Sequence, residues 1–245
     1  MKWFLGACGL AGLFAAWWVV SLLVPGGFIP DPWRVTVRMI ELVPISLWKH
    51  VLASLGRMAA GLAGAVAVGV PAGIALGRVR VLDRVFSPVA YVLFPVPKIA
   101  LLPALMLFFG LGNVSKVFVV FLVLFFQVLV ATRDGAREVP APYLLSLRSL
   151  GAGRMQTLRF VLLPALLPAL LSSLRIGIGT ALAVLFFAET FGTTRGLGWF
   201  VMECWMRVSY VDMFAGILCL GLLGLVLFLV IDTVHRRLCR WQRQV

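Results

Sequence analysis

The chain has 245 residues, 62% of them hydrophobic and only 13% charged, with a formal net charge of +13. Soluble domains run about 45–50% apolar and about 25% charged, so this composition excludes an ordinary globular domain. The basic residues fall in short segments between apolar runs, where the positive-inside rule puts them, which points to anionic lipid head groups and not to nucleic acid.

Residues 3–24 form a run of 22 without a charge, enough for a hydrocarbon core that takes roughly 20 apolar residues. No small-residue cleavage site follows, so this run is expected to stay as a first membrane helix and not to leave as a signal peptide. Pro25-Gly26-Gly27-Phe28-Ile29-Pro30-Asp31-Pro32 then breaks the helix. Residues 33–50 have mixed character and are expected to include a short amphipathic helix on the outer surface, with Trp33 and Trp48 in an aromatic belt.

A second span covers 51–76 and carries Gly61, Ala65, Gly69, Gly73 and Gly77 at four-residue spacing. Such a row lies near one face and lets another helix backbone approach closely. Pro71 predicts a local kink. The third span, 85–111, contains Pro95, Pro97 and Pro103 around Lys98. It cannot be straight, and a broken helix at membrane depth needs protein or water to satisfy its freed carbonyls. Lys98 either draws an anionic solute, or it snorkels or binds those carbonyls. A fourth span covers 117–132, with Gln127 as an interhelical hydrogen bonder. A basic loop, 133–168, precedes a fifth span at 165–188 with Glu189 at its outer end, and a sixth covers 213–231.

Helices are the expected spanning element, since lipid offers no partner to free backbone groups and the runs are too continuous for barrel strands. The predicted fold is all-α: one polytopic membrane domain over 1–245 with six transmembrane helices. With both termini cytoplasmic, the inner segments hold Lys2, Arg78, Arg80, Arg84, Arg133, Arg137, Arg148, Arg154, Arg159, Arg236, Arg237, Arg240 and Arg243. The outer segments hold fewer: Arg34, Arg38, Lys49, Lys116, Arg195 and Arg207. Arg57 and Arg175 read as anchors near span ends.

Nothing in the chain reads as a catalytic or metal site. Cys8, Cys204, Cys219 and Cys239 have no paired or metal-ligand spacing, and His50 and His235 fall at opposite ends of the membrane. Gly110 to Lys116 lacks the glycine immediately before lysine that a phosphate cradle requires. ATP and Mg²⁺ are therefore expected on another polypeptide, and this chain is not expected to be an enzyme.

Between the fourth and fifth spans, Gly151 is followed after ten residues by Val161 and after twelve and thirteen by Leu163-Pro164. This resembles the coupling (EAA) loop of ABC-importer permeases. Leu47-Trp48-Lys49-His50, Phe108-Phe109-Gly110-Leu111-Gly112, Ser115-Lys116, Leu174-Arg175-Ile176-Gly177, Ala188-Glu189-Thr190 and Gly196-Leu197-Gly198 extend the resemblance to permeases of the nitrate, sulfonate, taurine and bicarbonate group, over residues 47–230.

The resemblance implies a type I importer permease in a bacterial inner membrane. It implies a homodimeric pore, a cytoplasmic ATPase dimer, an extracytoplasmic solute-binding protein and alternating access for a small anionic solute. Vitamin precursors are a second substrate class. A self-sufficient secondary transporter is the rival from another class, and it calls for inverted repeats and paired intramembrane ionisable groups. Leu145, Ser146, Leu147, Arg148, Leu150, Gly151, Ala152 and Arg154 would contact the ATPase. Leu145, Ser146 and Leu147 stand where the family has Glu-Ala-Ala, so the acid is missing and docking is expected to be more apolar. The nearest acid is Glu138. Lys98, Gln127 and Glu189 are the candidates for the translocation path, with Glu189 as a gate or as a partner of Arg195 or Lys98.

Overall fold

The computed structural model describes residues 2–24 and 26–241, without the side chains of residues 2–7, 10 and 148. Pro25, Arg243 and the side chains of Lys2 and Arg148, which figure in the sequence reading, lie outside the described residues.

All regular elements among the described residues are helical. Four runs are long and apolar enough to cross a membrane: Pro32–Arg78, Asn113–Glu138, Arg154–Glu189 and Tyr210–Leu238. Arg80–Leu93 and Lys98–Phe109, bent by 89°, make a fifth as a broken span. α1 (Lys2–Leu23) is a further apolar helix. The chain clusters into two compact units.

The first unit comprises Met1–Leu55 and Glu189–Leu223. Gly26 and Gly27 take positive φ, 92° and 71°, where the chain leaves α1. Asp31 caps α2 (Pro32–Leu42), accepting the Trp33 N–H at 2.8 Å. The short helix expected within 33–50 is α2, but it is not separate from the span that follows. α2 runs through a π-helical turn, Val43–Leu47, into α3 (Trp48–Arg78). Pro44 lies in that turn, and the missing N–H of proline is absorbed by the wider helical turn.

α10 (Leu197–Met206) and the start of α11 (Tyr210–Leu238) complete the unit. Arg38 Nε donates to Asp212 Oδ1 at 2.6 Å, and the Phe28 ring meets Tyr210 edge-on at 5.4 Å. The turn between α10 and α11 places the Ser209 N–H on the Cys204 carbonyl at 2.9 Å and the Val208 N–H on the Trp205 carbonyl at 3.0 Å. These are the two bonds of a Schellman motif. Its left-handed position is filled by Val208, at φ 58°.

The second unit comprises Gly56–Ala188 and Gly224–Val245. Here the glycine row of α3 lies against α6 (Asn113–Glu138). A Cβ at Gly61 would fall 2.5 Å from Val120 Cγ1, one at Gly69 2.8 Å from Val128 Cγ1, and one at Gly77 2.6 Å from the Arg133 carbonyl. Ala65, in the same row, is fully buried. The row is a packing seam that brings two helix backbones together.

α4 (Arg80–Leu93) ends where Pro95 and Pro97 break the chain. A 3₁₀ turn, Lys98–Leu101, then leads into α5 (Leu102–Phe109). Leu102 and Leu105 pack with Val119 and Ala188 in one buried cluster. After α6 come α7 (Ala141–Ser149), α8 (Arg154–Thr157), a second π-helical turn, Leu158–Leu162, and α9 (Leu163–Glu189). The sequence places Pro164 at the free start of a re-entering helix. Instead helix continues from Arg154 to Glu189, and the π-turn immediately before Pro164 accommodates its missing donor.

Candidate functional site

The loop between α6 and α9 is built as a two-sided object. Leu144 is buried with Val139 and Leu162, and Ile74, Leu158 and Val161 pack against that cluster. These apolar contacts tie α7 and the π-turn to the end of α3. The opposite side presents Tyr143, Leu145, Leu150 and Met155, all exposed, with Leu150 83% and Met155 73% accessible. Exposed Arg154 and Arg159 lie among them.

Gly151 makes the turn. Its φ is +77°, and the Ala152 N–H returns to the Leu147 carbonyl at 3.0 Å. This is the long bond of a Schellman motif with glycine at the left-handed position. The Leu150 N–H is shared between the Ser146 and Leu147 carbonyls, at 3.2 Å each. Gln156 Oε1 then accepts the Gly153 N–H at 2.7 Å and restarts the helix. Behind the turn lies a groove of about 750 Å³ lined by Ile74, Arg78, Leu144, Ala152, Arg154 and Leu158.

The predicted loop residues thus divide. Leu145, Leu150, Gly151 and Arg154 are exposed, whereas Leu147 and Ala152 are half-buried beneath them. The Ser146 hydroxyl donates back to the Pro142 carbonyl at 2.9 Å and serves its own helix. Arg148 occupies α7, and its side chain lies outside the description.

Lys98 closes the proline break. Its Nζ donates to the Leu93 carbonyl at 2.8 Å and to the Phe94 carbonyl, the end of α4, and lies 4.8 Å from the centre of the Phe126 ring. Of the expectations for Lys98, the carbonyl-binding one describes this geometry. Gln127 differs from expectation: its Oε1 is buried without a hydrogen-bond partner. Its backbone carbonyl accepts the Ser173 hydroxyl at 3.2 Å. A Cβ at Gly177 would lie 2.2 Å from that Oε1, so glycine makes room for the amide.

Glu189 is fully buried. Ser54 Oγ lies 2.9 and 2.8 Å from its two carboxylate oxygens, and the Gly198 N–H reaches Oε2 at 2.9 Å. The Leu197 N–H donates to Ser54 Oγ at 2.9 Å. A carboxylate and a hydroxyl thus take two of the first free N–H groups of α10, where negative charge is favoured. His50 stacks on Trp199 at 5.3 Å and contacts Gly196 through Nδ1.

Three groupings were not legible in the sequence. Arg175, expected near a span end, lies within α9 and pairs with Asp232 at 2.7 Å, while Asp232 also takes Arg236 at 2.5 Å. Asp83 accepts Arg133 Nε at 2.7 Å, Ser87 at 2.6 Å and Arg137, and so ties α4 to α6. Arg57, 5% exposed, bonds the Asn113 side-chain oxygen at 2.9 and 2.7 Å. The acid–base spacings along the chain exceed any local rule except that of Asp232 with Arg236, a four-residue pair on one helix. Among the described residues no cluster of His, Cys, Asp and Glu could hold a metal. Burial pushes the Cys204 thiol up to about 11, so it stays protonated and unreactive.

Apolar helices long enough to cross a membrane, one pair broken at prolines, with a two-faced basic loop between spans, mark a multi-pass membrane protein. The chain belongs to the family of binding-protein-dependent transport system inner membrane components, whose profile matches residues 69–244. It is 34% identical over 244 residues to the taurine transport system permease protein of Escherichia coli (strain K12), covering 96% of this chain and 89% of that one. It is 28% identical over 229 residues to the formylaminopyrimidine transport permease protein of Halalkalibacterium halodurans, covering 93% and 92%. A solved inward-facing structure of the MetNI methionine ABC transporter shares the fold, with a TM-score of 0.63 at 18% identity over 78% of this chain and 97% of that one. The protein is therefore an inner-membrane ABC-importer permease.

Proposed function

We propose that this permease conducts a small anionic solute of the sulfonate and taurine class. In this reading two copies form the pore and both termini face the cytoplasm. A separate ATPase dimer, which binds the ATP and Mg²⁺, docks on the loops around Gly151, and an extracytoplasmic protein delivers the solute. The observation that carries the docking reading is the two-sided loop around the Gly151 turn, with Leu144 packed inward and Leu145, Leu150 and Met155 exposed outward. Apolar side chains beside Arg154 suit a partner groove that is largely apolar with an acidic rim. They replace the missing acid at Leu145.

The solute class rests on the name of the taurine relative. The formylaminopyrimidine relative supports a vitamin precursor as the second reading. For the translocation path, Lys98 and Glu189 act as positioning residues, Lys98 holding the proline break and Glu189 the start of α10, while Gln127 contributes its backbone carbonyl to the α6–α9 contact.

The test is co-purification with the candidate ATPase in mild detergent, followed by uptake into proteoliposomes containing the binding protein. Native mass spectrometry is expected to give two permease and two ATPase chains, and ATP-dependent uptake of taurine in preference to formylaminopyrimidine. A lone chain that moves solute without any ATPase would overturn the reading in favour of a secondary transporter.

A further inference from the structure

Between α3, α4 and α6 runs a groove of about 400 Å³. Its walls include Ala75 and Leu76 of α3, Leu82 and Phe86 of α4, and Phe125 and Leu129 of α6. It extends from Leu82, in the first turn of α4, to Leu93, at the end of α4. At a rise of 1.5 Å per residue that is about 16 Å of helix, close to one leaflet of a hydrocarbon core about 30 Å thick. Phe86 and Leu93 remain 52% and 42% exposed, so the groove is open along its side.

One end of the groove is basic. Arg78, Arg80 and Arg84 surround Leu82 in the sequence and are exposed. Arg78 Nη1 donates to the Ala136 carbonyl at 3.4 Å. The single acid of this segment, Asp83, is already held by Arg133 and Arg137. Its charge is thus spent within the fold, and Arg80 and Arg84 keep theirs for something outside it. Near the other end, the Lys98 ammonium lies 4.8 Å from the centre of the Phe126 ring and is occupied by the Leu93 and Phe94 carbonyls.

We propose that this groove is a binding site for one acyl chain of an anionic phospholipid of the inner leaflet, with the phosphate held by Arg80 and Arg84. The leaflet assignment rests on the orientation given under the proposed function. An acyl chain fits because the walls are apolar along the full length and the length matches one leaflet. An anionic head group fits because the positive charge is gathered at one end. A juxtamembrane Lys or Arg contributes about 1 kcal/mol of attraction to an anionic surface, so two of them give a preference of about thirtyfold over a zwitterionic head group. The bound chain would cover Phe86 and Phe125 and brace α4 against the α3–α6 seam.

The test uses the full chain purified from its membrane and transferred to detergent with defined phosphatidylglycerol or phosphatidylcholine, with retained lipid counted by native mass spectrometry. Wild type is expected to keep phosphatidylglycerol about thirtyfold better than phosphatidylcholine. Arg80→Gln with Arg84→Gln, on the exposed side, is expected to abolish that preference while leaving the fold intact. Ala75→Phe, which fills the groove, is expected to lose both lipids. Equal retention of the two lipids by wild type, or undiminished retention by the Ala75→Phe variant, would overturn the site. Loss of a dimer in the Ala75→Phe variant, with lipid retention unchanged, would assign the groove to a second copy instead. No ATPase or solute enters these readings, so failure of the importer reading leaves them interpretable. Failure of the orientation alone would show in protease mapping of the termini.

Discussion

The buried carboxylate of Glu189 accepts the backbone N–H of Gly198 at 2.9 Å. The eight intervening residues are thereby folded so that the end of α9 sits on the first turn of α10, with Ser54 bridging both. Glu189→Ala would leave Ser54 and the Gly198 N–H without this acceptor. Hydrogen bonds to a charged group contribute about 1.5–3 kcal/mol each and a buried unpaired donor costs about 1–3 kcal/mol. A fall of several degrees in Tm is expected for Glu189→Ala, and a smaller one for Glu189→Gln, which keeps an acceptor. Equal Tm values for wild type and alanine variant in a detergent thermal-shift assay would contradict this role.

The Arg175–Asp232 pair at 2.7 Å joins α9 to α11 at partly buried positions. Removing one partner of such a pair leaves an uncompensated charge, which costs more than replacing both by apolar groups. Asp232→Asn is expected to lower stability by about 2 kcal/mol, and Arg175→Met with Asp232→Leu to recover most of that loss. A double-mutant cycle on purified protein measures the difference. Additive effects would show that the two side chains act independently.

Much of this fold was legible because apolar length and proline position act locally. The runs around 51–76, 117–132 and 213–231 fall inside observed helices, and Pro95 and Pro97 mark the 89° bend. The glycine row likewise marks its own packing face. What escaped was non-local or compensatory. Pairing Asp83 with Arg133, or Ser54 with Glu189, depends on which helix faces meet. The π-turn at Leu158–Leu162 lets the helix continue where Pro164 reads as a boundary, and the one at Val43–Leu47 joins α2 to α3. Gly151 was legible as a turn, but the inward or outward facing of Leu144 and Leu145 follows from packing on Ile74.

Two left-handed turn positions carry opposite residues. Gly151 has φ +77° with nothing within 4 Å of a Cβ built there, so any penalty of substitution is conformational. A left-handed residue other than glycine costs roughly 1–2 kcal/mol, while asparagine tolerates the region better. ATPase co-purification is expected to fall in the order glycine, asparagine, alanine, valine at position 151, with membrane insertion unchanged. Full capture by Gly151→Val would contradict the turn's role in docking.

At Val208 the same reasoning runs the other way. This exposed β-branched side chain sits at φ 58° in the Schellman turn after α10. Val208→Gly removes the left-handed penalty and loses little packing, though glycine gives back about 0.5–1 kcal/mol of unfolded-state entropy. A net gain of up to about 1 kcal/mol is expected, visible as a higher Tm. A lower Tm would mean that the valine side chain contributes contacts that outweigh its backbone strain.

The α3–α6 seam offers a test with its own control. A Cβ at Gly73 would lie 2.8 Å from the Leu129 carbonyl oxygen and 2.7 Å from Thr132 Cβ. The carbonyl belongs to the α6 backbone and cannot rotate away, so Gly73→Ala must push the helices apart. Overpacking of this kind costs typically about 1–3 kcal/mol. Gly56, on the same helix, has nothing within 4 Å of a built Cβ. There alanine gains the helix preference over glycine, about 0.5–1 kcal/mol. Thermal unfolding of the two variants is expected to move in opposite directions, Gly73→Ala down and Gly56→Ala level or up. Because both substitutions add the same methyl to the same helix, a parallel shift would show that lipid solvation of α3, and not its contact with α6, sets the effect.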